Sequence, residues 1–487
     1  MLRLRLQRFC SRKTPDEIAA RQQTLNLIDR SPEFLKGSST MARFNPEVYL
    51  QNHPNQEHAL NIRNQMNEIA ELIEKMKARE HSGNKFIVLA ATAFLTCSAG
   101  YTMFQFADVN TSFTSSLPSL FSFLEYSTAR KLLCYMAQWD MLPVDFGSDD
   151  PYMVRIFGRS SRHPLTRPLR VCVPLGLGAG MDVDASGPAA FLKLGFGLIE
   201  VGSVNIQPSD GEKLNNVQSL GYTLAYDMSR QDPSKGLPYV SNRLCDYIES
   251  RKDDLLTRNT VTCLTISTRN CTDVRCIFSD TRLIATADSI AFDLTHVSDD
   301  TQLLSIIECI EKEAMKADLI PVLLLRIGLR HSLPPPTSVA SAIKSSRAIV
   351  GVSINGTGTA CGNNKVTKLP QTDEMQVSGQ ITKDRSTEAV AEWYKALDCP
   401  NTHKEIVSSG GVFCGKDALD KIEAGASIVN VFTAFVLDGF PVARRIKTQL
   451  SVQLMNKGYY NIEEAIGAKH RQTTGRLKRS FQRRKRF

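Results

Sequence analysis

Two adjacent glycines, Gly410 and Gly411, stand between a β-rich run, Glu405–Ser408, and a short amphipathic helix, Lys416–Ala424. Gly425 follows at a C-cap position, then an apolar strand, Ile428–Phe432, and Thr433. Glycine lets backbone approach a ligand closely. Parallel strands with glycines after the first and threonine after the second match the phosphate site of a (β/α)8 barrel, which uses backbone N–H groups in the last two loops. An ordinary βαβ unit with turn glycines fits the same residues. Gly176, Gly178 and Gly180 form another glycine cluster. They do not complete G-x-G-x-x-G, and no acid ends a second strand, so a dinucleotide site is rejected. Twelve cysteines without a CxxC pair suggest reduced thiols, and eight scattered histidines have no metal-ligand spacing, so no metal site is predicted.

These residues need a scaffold of alternating strands and helices, and the chain from Val154 onward supplies one. Strands are predicted at Val171–Leu177, Leu198–Ser203, Thr262–Ser267, Ser289–Leu294, Pro321–Ile327, Ala348–Ile354, Glu405–Ser408 and Ile428–Phe432. Helices fall between most of them, as at Gln302–Lys316 and Thr387–Ala396. The expected fold is α/β, a (β/α)8 TIM barrel over 148–470. With 487 residues the chain exceeds the roughly 250 of such a barrel, so other parts precede it.

Residues 1–40 read as a targeting or disordered segment. Met1–Lys13 has five Arg/Lys and no acid, the composition of a mitochondrial transit peptide or of a disordered basic start. In 41–85, Ile62, Met66, Ile69, Ile73 and Met76 form a heptad stripe on the helix Gln56–Glu80. That helix lies on the body or docks another chain. Phe86–Ala107 holds 22 uncharged residues and is predicted to be a transmembrane helix, a buried core helix being the other reading. Residues 108–147 form a small helical hood, Ser119–Met136 and Ala137–Leu142. It either rests on a bilayer and admits a lipophilic ligand or packs as a hairpin on its own domain. The net charge of +9 comes mostly from 471–487, which holds eight Lys/Arg and no acid. This basic tail contacts RNA phosphates or anionic lipid, or is simply solvated.

Several blocks resemble one family, the class 2, quinone-dependent mitochondrial dihydroorotate dehydrogenases. They are Val377-Ser-Gly379, Asp384-Arg-Ser-Thr387, Gly410-Gly-Val412, Gly415-Lys-Asp-Ala-Leu419, Ala424-Gly-Ala-Ser427 and Ala465-Ile-Gly-Ala-Lys-His470. Leu175–Gly180 with Asp182, and Leu194-Gly-Phe-Gly197 through Glu200-Val-Gly-Ser203, are similar to the family's first two strands. The resemblance spans roughly Phe86 to Arg471. It implies FMN in the barrel, a quinone tunnel through the hood, ubiquinone and dihydroorotate as substrates, and a place in the inner mitochondrial membrane. Ser378, Gly379, Gly410, Gly411, Phe432 and Thr433 then hold the FMN phosphate, and Ala179, Gly180, Ser203 and Arg326 contact the flavin.

The chemistry departs from the family. Val183 stands where the family has a lysine that touches flavin and substrate. Arg326 replaces a second lysine, keeping charge but not point-like donor geometry. The family's Asn-Arg-Tyr-Gly-Phe-Asn run is not recognisable near Met228–Pro233. Asp293-Leu-Thr-His-Val-Ser298 aligns with the loop carrying the serine base, which puts His296 at the base position, with a loop histidine of no catalytic role as the other reading. It also puts Asp293 and Ser298 where substrate asparagines belong. Asn355 matches a retained substrate asparagine, with Gly356 replacing a threonine. Two functions fit: an FMN-dependent dihydroorotate dehydrogenase-like protein with lost or altered catalysis, or an inactive assembly subunit of a mitochondrial complex.

Overall fold

Runs of Val, Ile and Leu with no polar alternation are the mark of parallel strands buried on both faces. β1 (Arg155–Phe157) and β2 (Leu169–Val171) pair with each other antiparallel. β3 (Leu175–Leu177), β4 (Leu198–Val204), β7 (Val261–Ser267), β8 (Ser289–Asp293), β9 (Val322–Gly328), β10 (Ile349–Asn355), β13 (Glu405–Ser409) and β14 (Ile428–Val431) are parallel and close into an eight-stranded barrel. β5 (Gln218–Leu220), β6 (Thr223–Asp227), β11 (Gly358–Thr359) and β12 (Met375–Gly379) form a separate four-stranded antiparallel sheet. Every residue of β7 and β8 is buried. This computed structural model describes residues 109, 119, 121 and 124–471, apart from 148–149, 159–165, 211–217, 221, 228–233, 252–253, 255, 258, 330–332 and 360–374. The chain divides into two compact units, Met1–Ser116 and Leu117–Phe487, and all described residues except Val109 lie in the second.

One end of the barrel is sealed. Phe157 of β1 is fully buried and clusters with Leu198, Val261, Val322 and Ile428 near the starts of their strands. The opposite end, where the strands finish, is left for a site.

The predicted strand Val171–Leu177 is corrected: Val171 ends β2, Leu175 begins β3, and the chain bends between them. Pro174 has no N–H for a ladder, which suits a break. The helix foreseen at Thr387–Ala396 begins earlier, at Lys383, and the one foreseen at Gln302–Lys316 spans Asp300–Ala314, capped by the Asp299 carboxylate. In the hood the helix spans Tyr126–Gln138, so of the predicted Ala137–Leu142 only Ala137 and Gln138 are helical; Asp140 takes φ 54° just past the helix end. This helix packs on Pro188–Leu192, and Gly187 permits the approach: an added Cβ would lie 2.6 Å from the Ala137 carbonyl carbon. Its outer side leaves Tyr135 and Trp139 about 60% exposed. Among the described residues no helix is long and apolar enough to cross a membrane. The predicted span Phe86–Ala107, the helix Gln56–Glu80 and the tail beyond Arg471 lie outside them.

Candidate functional site

A cavity of about 250 Å³ opens at the C-terminal ends of the barrel strands. Strand ends and the loops after them bring its lining together: Ala179 and Gly180 after β3, Ser203 on β4, Arg326 on β9, Asn355 ending β10, Gly410 and Gly411 after β13, Phe432 and Thr433 after β14. Ser378 enters from β12, and Tyr126 of the hood helix forms part of the wall. Val183, Asp293 and His296 also border the cavity. Gly379 does not. It turns the chain out of β12 at φ +108°, where an added Cβ would strike the Tyr222 carbonyl oxygen at 2.3 Å.

One end of the cavity is made of backbone and hydroxyls. The Ser378 and Thr433 hydroxyls are 2.9 Å apart across 55 residues of chain. Gly410 and Gly411 take φ +106° and +69°, a region that side chains disfavour. A Cβ on Gly411 would lie 2.4 Å from Lys383 Cα. Gly356 also has a packing reason, since a Cβ there would sit 2.2 Å from Gly410 Cα. Two amides on the cavity wall, buried Asn430 and half-buried Gln376, have buried atoms with no hydrogen-bond partner among the described residues: both polar atoms of Asn430 and Oε1 of Gln376. Buried polar groups left so are costly unless a ligand or water satisfies them. Hydroxyls, glycine backbone and open amides together suit a phosphate-bearing group with polar ring edges.

The other end is made of charged side chains already committed to one another. Asp293 accepts from the Ser203 hydroxyl, from the Thr295 hydroxyl at 2.7 Å and from the Thr295 N–H at 3.1 Å. Burial pushes its carboxyl up, but the Arg326 guanidinium and these hydrogen bonds outweigh burial and hold it below the usual carboxylate range. Arg326, 8% exposed, lies 3.5 Å from Glu200, which is 1% exposed. Glu200 also accepts from the Ala179 N–H and the Ser353 hydroxyl, each at 3.2 Å. Sequence reasoning missed Glu200; its signal was one acid inside an otherwise apolar strand. Asp182 is fully buried and accepts from the N–H groups of Ser186 and Gly187, shaping the loop that carries Val183. Burial raises its carboxyl despite those bonds. His296 sits exposed at the rim, with no protein partner for its ring among the described residues. Ser298 is exposed and not part of the cavity lining, while 228–233 lie outside the described residues.

The family model for dihydroorotate dehydrogenase matches residues 321–454. The chain is 27% identical over 370 residues to a mouse protein, "Dihydroorotate dehydrogenase (quinone), mitochondrial", covering 73% of this chain and 89% of that one. It is 22% identical to the Schizosaccharomyces pombe protein of the same description, covering 75% and 88%. The solved dihydroorotate dehydrogenase of Eimeria tenella, in complex with ferulenol, superposes with a TM-score of 0.62 at 25% identity, covering 73% of this chain and all of that one. Barrel, strand-end cavity and matching relatives agree and support a divergent member of the dihydroorotate dehydrogenase family.

Proposed function

We propose that this chain is a mitochondrial, FMN-binding, dihydroorotate dehydrogenase (quinone)-like oxidoreductase whose substrate-oxidising end is altered. The observation that carries the reading is the convergence on one cavity of Ala179, Gly180, Ser203, Arg326, Ser378, Gly410, Gly411, Phe432 and Thr433, residues drawn from both halves of the barrel. Ser378, Thr433 and the Gly410–Gly411 backbone would hold the phosphate, with Gly379 setting the turn beside them. Asn430 and Gln376 offer amides to ring edges. When bound, FMN supplies the electron acceptor that no side chain here provides.

His296 stands at the rim with its ring nitrogens available, so it can take a proton from a substrate, and Asn355 offers an amide elsewhere in the same lining. The surrounding charge does not suit dihydroorotate, an anion. Asp293 and Glu200 are two carboxylates against the one guanidinium of Arg326, and Val183 adds no cation. Loss of positioned electrostatic groups costs about 10² to 10³ in rate each. The exposed aromatic side of the hood helix fits delivery of electrons to ubiquinone at a lipid surface, with Phe86–Ala107 as inner-membrane anchor. No described residue adds support to an assembly-subunit role. The visible spectrum of the purified protein tests the reading: flavin bands near one FMN per chain are expected, and a colourless, folded protein would overturn it.

A further inference from the structure

Lys421 is fully buried in the helix Gly415–Ala424, behind the cavity and not lining it. Its Nζ donates to the Ser386 hydroxyl at 2.5 Å and to Thr387 Oγ1 at 3.2 Å, both on the facing helix Lys383–Ala396. The single hydroxyl proton of Ser386 is shared between the carbonyl oxygens of Lys383 at 3.0 Å and Gly410 at 3.2 Å. Burying an amine this completely is costly, and burial depresses Lys421 to about 7, against the opposing charge of Asp417.

The Gly410 carbonyl and the Gly411 N–H belong to one planar peptide. That peptide is not among the cis bonds, so its C=O and N–H point in opposite directions. Drawing the carbonyl toward Ser386 therefore turns the Gly411 N–H the other way. Ser386 lies outside the cavity lining and Gly411 lies in it. Two successive glycines leave this peptide little else to resist a flip. The far end of the loop is anchored separately, by the Phe413 and Cys414 N–H groups on the Asp417 carboxylate at 3.0 and 3.1 Å.

We propose that Lys421, acting through Ser386, is a positioning residue that aims the Gly411 N–H at the cofactor phosphate. The proposal rests on the FMN reading of the cavity. It assigns Lys421 no contact with substrate or cofactor.

The experiment uses the full chain, wild type beside Lys421→Met and Ser386→Ala. Hydrogen–deuterium exchange of the flavin-free proteins reads the peptide covering 410–413. Titration of FMN, followed by quenching of its fluorescence, reads affinity, and thermal unfolding reads overall stability. Expected are faster exchange confined to 410–413, FMN affinity about tenfold weaker or more, and an unfolding midpoint unchanged or higher in Lys421→Met. Unchanged exchange at 410–413 in both variants would overturn the relay. So would affinity loss that merely tracks a fall in overall stability in both. A wild type that takes up no FMN overturns the cofactor reading instead, and the exchange measurement still decides whether Lys421 holds the loop.

Discussion

The two ends of the cavity are built from different material. The end proposed to take a phosphate is backbone at positive φ, two hydroxyls and glycines packed against backbone. The opposite end is side-chain charge: Asp293 and Arg326 on the wall, with Glu200 as the counter-ion of Arg326; Val183 and His296 also border the cavity. A backbone cradle binds by shape and survives wherever the glycines survive. A charged site depends on the identity of every member, and one change reassigns the partners of the rest. Here Ser203, a flavin-contacting position by resemblance, has its hydroxyl taken by Asp293, and Arg326 has Glu200 as a counter-ion. On the proposed FMN reading, the cavity keeps the part that would recognise the cofactor and changes the part that would handle a substrate anion.

The sharpest way to break this comparison is at the cradle. Gly411→Asp places a side chain at φ +69°, drives its Cβ to 2.4 Å from Lys383 Cα and adds a carboxylate where phosphate would bind. Backbone strain alone costs about 1–3 kcal/mol, and like charge adds to it. FMN uptake should fall by about 100-fold or more, measured as flavin released per folded chain. Equal FMN in mutant and wild type would show that the phosphate sits elsewhere.

The next largest effect concerns the charged end. Dihydroorotate-dependent reduction of a quinone analogue should run at least about 10² to 10³ below the usual range of roughly 1–10³ s⁻¹. Val183→Lys alone should not restore it, because the new ammonium would join a site where the Asp293 carboxylate would still repel a substrate anion. Stopped or steady-state assays of FMN-loaded protein decide this. Turnover in the usual range by the native sequence would sink the altered-catalysis reading and make His296 the leading base.

The fold was legible because strand periodicity and glycine positions report backbone requirements directly. All eight barrel strands were found from apolar runs, and Gly425 was read as a C-cap, where it takes φ 125°. The first strand was misread because Val171 and Leu175 belong to different ladders that only three-dimensional pairing separates. The charged network was not legible. Nothing in the spacing of Glu200, Asp293 and Arg326 says that barrel closure brings them together. Gly356 looked like a lost threonine, and only its contact with Gly410 gives it a reason.

Glu200→Gln sharpens the same comparison by a smaller amount. Glutamine's one amide oxygen can still accept from the Ala179 N–H and its NH2 can donate to the Ser353 hydroxyl oxygen, but it no longer neutralises Arg326. The freed positive charge should favour electron-rich flavin and raise its midpoint potential. A change of about 1.4 kcal/mol corresponds to roughly 30 mV for a two-electron couple. Spectroelectrochemistry of FMN-loaded protein reads the shift. An unchanged or lowered potential would mean that Arg326 does not act on the flavin.

The smallest effect lies behind the cradle and appears as a pH dependence of stability. Lys421 has an ordinary unfolded-state value of about 10.4, whereas burial in the fold lowers it to about 7, with Lys383 adding to the fall and Asp417, Asp384 and Asp420 opposing it. Below about pH 7 the amine is protonated in both states, and the folded chain bears the full cost of a buried charge. Between about 7 and 10 the unfolded chain still holds the proton that the folded chain has released. The unfolded state then binds more protons, so stability rises with pH, at most about 1.4 kcal/mol per pH unit. Lys421→Met removes this contribution and should flatten that part of the curve, leaving the mutant more stable near pH 7 by about 1 kcal/mol or more. Denaturant unfolding of flavin-free protein at pH 7, 8 and 9 makes the measurement. Parallel curves for wild type and Lys421→Met would mean that the lysine keeps its proton in the fold, stabilised more by Ser386, Thr387 and Asp417 than burial destabilises it.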